Sequence, residues 1–138
     1  MSRESNMAAQ LRFAEAVNTG NYNLFNEVVA PNAIDHDPAP GQGPGPEGYH
    51  QFFSSLRAAF PDMKVNVEHL LMDDDNIAFA YTLTGTHQGK LLGFAPTGKK
   101  INVRGMQISK FADGKLVERW GSSDQLGILQ QLGLAPST

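Results

Sequence analysis

Few side chains in this sequence are of types and spacings that do chemistry. The four histidines, His36, His50, His69 and His87, form no His-x-His or His-x-x-x-His pair, so no metal site is preassembled. The absence of cysteine excludes thiol catalysis, thiolate ligation and disulfides. No Gly-rich phosphate loop follows a strand, and no Gly-x-Ser-x-Gly elbow occurs. The expectation is a chain without metal or cofactor.

The carboxylates offer more. Asp124 lies where the last expected strand leaves its sheet, a place from which a carboxylate can act as a general base, or can cap the helix that follows. Asp35, His36 and Asp37 open a Pro/Gly-rich segment, where a His/carboxylate pair can relay protons or close an Asx turn. His69 alternates with the apolar residues Met63, Val65, Val67 and Leu71, so it reads as a pocket histidine or as a satisfied core one. Gln107 shares a face with Ile101, Val103 and Phe111, where an amide can hold a ligand carbonyl or a neighbouring strand. Arg104 falls on the opposite face. Trp120 fills core or walls a pocket, with Tyr81 and Phe53 as further aromatic lining.

These residues must be positioned by regular elements. Met7, Leu11, Ala14 and Val17 predict an amphipathic helix over residues 4–19, and Leu24, Phe25, Val28 and Val29 a second short one ending before Pro31. Residues 35–48 hold four prolines and four glycines and read as a loop. Tyr49, Phe52, Phe53, Leu56, Ala59 and Phe60 then recur at helical spacing up to Pro61. From Met63 the period becomes two. Strands are expected from Met63 to Leu71, Ile77 to His87, Ile101 to Phe111 and Lys115 to about Ser122, with a hairpin turn at Asp113-Gly114. A short helix closes the chain between Asp124 and Gly133.

Three helices followed by four meandering strands and a terminal helix predict an α+β domain in which a curved antiparallel sheet wraps a helix, leaving a cone with a partly apolar interior. At 138 residues one domain, 1–138, is expected. Lys plus Arg number 11 against 14 for Asp plus Glu, a net charge of −3, so no basic field draws in nucleic acid. Apolar runs are short and the first twenty residues lack a leader pattern, so neither a membrane span nor a signal peptide is expected, and the expected location is the cytoplasm.

Three blocks, VNTGNYNLFNEVVAPNAIDHDPAPGQGPGPEGYHQFF, GTHQGKLLGFAPTGKKINVRG and FADGKLVERWGSSDQLGILQQLG, resemble the SnoaL-like polyketide cyclases over nearly the whole chain. The resemblance implies the NTF2-like cone and a homodimer or homotetramer packed through the outer sheet face. It also implies cofactor-free aldol ring closure of a polyketide-like substrate by an aspartate base and a nearby histidine. Matching through DGK and QLG places that aspartate at Gly121 and that histidine at Gln107. Neither residue titrates, so the family's known pair does not carry over. The readings open on the sequence are a cyclase- or isomerase-like enzyme using Asp124 or the His36/Asp37 pair with Gln107 as oxyanion donor, a non-catalytic carrier or sensor, and an epoxide hydrolase-like enzyme using an Asp and an Arg.

Overall fold

The computed structural model describes residues 3–136. Helix α1 (Arg3–Thr19) leads through a 3-10 turn at Tyr22–Leu24 into the short α2 (Phe25–Val28) and strand β1 (Val29–Asp35). Helix α3 (Gly45–Ala59) follows, then β2 (Lys64–Met72), β3 (Asn76–Thr86), β4 (Lys100–Ala112), β5 (Lys115–Ser123) and α4 (Gln125–Gln131). The five strands form one curved sheet in the order β1-β5-β4-β3-β2, with β2 to β5 antiparallel as expected.

Strand β1 was not expected. It carries Pro31, before which the second helix was expected to end, and it lies at the sheet edge, pairing with β5 in parallel. An edge strand tolerates a residue without a backbone donor. Two helices precede the sheet as expected, but the third, α3, falls between β1 and β2, and the sheet is not wholly antiparallel. Helix α3 likewise begins inside the Pro/Gly segment, at Gly45, because Pro46 falls in its first turn, where a missing N–H costs nothing. Gly45 has φ +70°, and a Cβ there would overlap the Pro31 carbonyl, so this entry requires glycine.

The register of α1 also differs from the expected stripe. Its buried face is Asn6, Ala9, Gln10, Phe13, Ala16 and Val17, while Leu11 is 63% exposed. Polar clamps set this rotation: Asn6 Nδ2 donates to the Asp74 carbonyl, and Asn18 both donates to the Val65 carbonyl (3.0 Å) and accepts from its N–H (2.8 Å). Phe13 then stands between Phe25, Tyr49 and Phe53, with ring centroids 4.9, 5.4 and 6.1 Å away. This aromatic cluster fills much of the space between the helices and the inner sheet face.

Strand β4 alternates buried and exposed residues along its whole length, as its sequence predicts. Strands β2 and β5 do not. A bulge between Val67 and His69 in β2, and another in β5 opposite Lys110 and Phe111, each insert one residue and exchange the two faces beyond it. The β4–β5 turn places Asp113 and Gly114 at φ 53° and 75°, the conformation that an Asp-Gly hairpin supplies. His87 is fully buried, and its Nδ1 accepts the Thr97 N–H at 3.1 Å, tying down the long β3–β4 loop.

Candidate functional site

The inner face of the sheet carries a chain of polar side chains where β1, β5 and β4 meet. Cross-strand pairing sets Asp35 beside Arg119, Arg119 beside Ser109, and Gly121 beside Gln107. Arg119 Nη1 reaches both Asp35 oxygens, at 3.1 and 3.2 Å, and its Nε donates to Gln107 Oε1 at 2.9 Å. Gln107 Nε2 in turn donates to Ser109 Oγ at 3.0 Å. Asp35 also accepts from the Asp37 N–H and, at 3.3 Å, from Gln42 Nε2. The Asp35 and Arg119 side chains are only 8% and 17% exposed, so both charges are largely withdrawn from water and satisfied by one another.

Two glycines on this face make room for side chains from elsewhere. The Arg119 guanidinium lies in the space that a side chain at Gly121 would fill, and the Tyr81 ring covers Gly105 in the same way. Burial, followed by the Asp35 charge, holds the Tyr49 hydroxyl well above its ordinary ionisation range. Burial likewise raises Tyr81, with the Arg119 charge partly opposing it. Both phenols therefore remain protonated and act as neutral groups.

Of the residues singled out from the sequence, Gln107, Tyr81 and Phe53 lie on the inner side. Gln107 is buried in the polar chain, and Phe53 belongs to the aromatic cluster. Asp37 sits at the end of β1, where its Oδ2 accepts the Gly121 N–H at 2.9 Å. The others are elsewhere. His36 projects outward, stacked on Trp120 with centroids 4.7 Å apart, its Nε2 3.6 Å from Glu118. Trp120 is therefore an outer-face residue rather than a wall of the cone. His69, placed by alternation among Met63, Val65 and Val67, is exposed beyond the β2 bulge beside Leu71, opposite Ala80. Asp124 caps α4, its Oδ1 accepting the Gly127 N–H at 2.8 Å.

Sequence reasoning missed Arg119, Asp35 as its partner, Tyr49 and Gln42. Period two counted from Leu116 turns Glu118 and Trp120 inward, whereas the β5 bulge turns Arg119 and Gly121 inward instead. The one available signal was Gly121 itself, a strand glycine that marks a bulge or a close approach.

One concavity lies on the outside of the sheet. A groove of about 590 Å³ runs over the outer sheet face, lined by His69, Leu71, Ala78, Ala80, Met106 and Ile108, and Asp37 and Gly121 lie along it. A smaller groove of about 280 Å³ lies between the 39–42 segment, α3 and the 90–92 segment, with Gln42, Phe52 and Leu91 in its lining. Gln42 thus connects this second groove to Asp35.

A curved sheet wrapped around α1 and α3, with polar side chains gathered on its inner face, defines the NTF2-like class of α+β proteins. The SnoaL-like polyketide cyclase family model matches residues 7–132, and the chain belongs to that family. The aklanonic acid methyl ester cyclase DauD of Streptomyces sp. (strain C5) is 27% identical over 88% of this chain and 78% of its own. Wild-type IdmH from Streptomyces antibioticus is 31% identical, with a TM-score of 0.80 over 93% of this chain and 98% of that one. TsrD from Streptomyces laurentii shares the fold at a TM-score of 0.88, covering 98% of this chain and 99% of that one at 24% identity.

Proposed function

We propose that this SnoaL-like chain binds a small hydrophobic, polyketide-like carbonyl compound at the inner face of its single domain. We further propose that it removes an activated α-proton there without a cofactor, in an aldol cyclisation or an isomerisation. The observation that carries the reading is the meeting of Asp37 and the Arg119–Gln107 chain at Gly121. A carboxylate beside polar donors is the arrangement that proton abstraction next to a carbonyl needs. Asp37 is the base in this reading, because the Gly121 N–H holds its Oδ2 at the sheet edge where the Arg119–Gln107 chain ends, whereas Asp124 caps α4 away from that chain and His36 faces outward. Gln107 and Tyr81 orient the substrate, with Phe53 supporting the apolar side.

Two other readings remain in play. A non-catalytic carrier or sensor is favoured by Gly121 and Gln107, which cannot titrate. An epoxide hydrolase-like enzyme would use Asp35 and Arg119, but the Asp35 oxygens already accept from Arg119, Gln42 and the Asp37 N–H. Under all three readings the apolar outer face, with Leu71 and Met106 63% and 60% exposed, pairs with a second copy in a cytoplasmic homodimer or homotetramer.

The test is incubation with polyketide-like methyl esters and β-keto esters in deuterated water, following exchange at the activated carbon by mass spectrometry. Exchange above the buffer rate that falls at least 100-fold in Asp37→Asn supports the enzyme reading, in line with the ~10²-fold or greater worth of a positioned base. Binding without exchange selects the carrier. Conversion of a styrene oxide probe to its diol, lost in Asp35→Asn, selects the hydrolase.

A further inference from the structure

The Arg119 guanidinium is only partly used by the protein. Its Nε and Nη1 are engaged by Gln107 and Asp35, while Nη2 has no hydrogen-bond partner among the described residues and lies over the bare face of Gly121. Nη2 is not among the sealed polar atoms that lack a partner, so it stays open to solvent, and a ligand oxygen reaching it takes the place of water. Its direction is fixed by the three oxygens that hold the rest of the fork, so the donor is preorganised.

We propose that Arg119 Nη2 is the hydrogen-bond donor to a ligand oxygen, and that Asp35 makes this donor selective for an uncharged carbonyl over a carboxylate. The inference rests on the proposed binding at the inner face and assigns the groups that recognise the ligand there. Charge decides the selectivity. Arg119 contributes one positive charge, Asp35 cancels it at about 3 Å, and Asp37 adds a negative charge beside Gly121. The phenols of Tyr49 and Tyr81 add none. A ligand carboxylate entering this setting would give up water without meeting net positive charge, whereas a ketone or ester oxygen accepts the Nη2 hydrogen bond at little desolvation cost. Asp35 acts through Arg119 and is a positioning residue.

The probes are methyl anthraquinone-2-carboxylate and anthraquinone-2-carboxylate, which differ at the ring substituent by one charge. Binding to the full chain is followed by quenching of Trp120 fluorescence and by calorimetry, with circular dichroism and melting curves showing that each variant folds. The wild type is expected to prefer the ester by tenfold or more. Asp35→Asn, which leaves the guanidinium charge unbalanced, should shift that ratio at least tenfold toward the acid, an effect that a merely structural ion pair would not produce. Asp35→Asn/Arg119→Gln, which leaves no unpaired charge, should weaken the ester about tenfold, the loss expected for one hydrogen bond. An unchanged preference in Asp35→Asn, or unweakened ester binding in the double variant, overturns the inference while leaving the inner-face reading standing. Failure of the wild type to bind either probe overturns that reading and this inference with it.

Discussion

Replacing Arg119 by Met tests the energetics of the inner-face ion pair. The side chain keeps much of its packing volume, but Asp35, 8% exposed, loses both of its oxygen contacts to Nη1 and retains only Gln42 Nε2 and the Asp37 N–H. Removing one partner of a buried pair costs about 3–5 kcal/mol, and the two remaining hydrogen bonds place this case near 3. At about 2.1 cal/mol/K of unfolding entropy per residue, a chain of this length should then melt about 10 °C lower. Replacing both partners, as in Asp35→Asn/Arg119→Met, leaves no orphaned charge and should cost about 1 kcal/mol, so the two changes are strongly non-additive. Urea unfolding followed by the fluorescence of the single tryptophan, Trp120, measures all four corners of the cycle. A coupling energy below about 0.5 kcal/mol would refute the reasoning, because it would mean that water already satisfies Asp35 in the folded chain.

Further expectations follow from other parts of the fold. Asp124→Ala should lower stability by about 1 kcal/mol through loss of the α4 cap and leave deuterium exchange unaltered, which parallel melting and exchange measurements check. Gly45→Ala should be among the most damaging single-methyl changes, since it combines a positive φ with overlap on the Pro31 carbonyl; a melting temperature within 2 °C of wild type would contradict that geometry. The Asp62 carboxyl is held below its ordinary range chiefly by the Thr86 N–H and then by the Thr86 hydroxyl. Its stabilising contribution is therefore present above the unfolded value near 4 and is lost as pH falls through the lower folded value. Urea unfolding of Asp62→Asn at pH 7 and pH 3 should show a stability deficit at the higher pH that shrinks at the lower one.

The fold was legible wherever a strong period or a turn chemistry acted locally. The β4 alternation, the Asp-Gly hairpin, the apolar stripe of α3 and the Asp124 cap all come from interactions within a few residues, and each lies where its residues predict. The misread parts depend on distant partners. β1 is a strand because β5 offers it an edge, and α1 turns its Asn6 face inward because the Asp74 and Val65 backbone groups need partners.

The candidate site shows the same division more sharply. Gln107 could be placed on the inner face by counting along β4, and Gly121 stood out as a strand residue without a side chain. Neither observation reveals that a guanidinium two residues away occupies the vacated space, or that a carboxylate from β1, 84 residues distant, neutralises it. The sequence alone thus determined the types of the elements other than β1 and the absence of thiol chemistry, since those depend on residue identity and short-range periodicity. The tertiary structure alone decided which charged residues face inward. A bulge adds one residue to one strand, reverses every side chain beyond it, and is set by pairing between strands rather than by any residue within them.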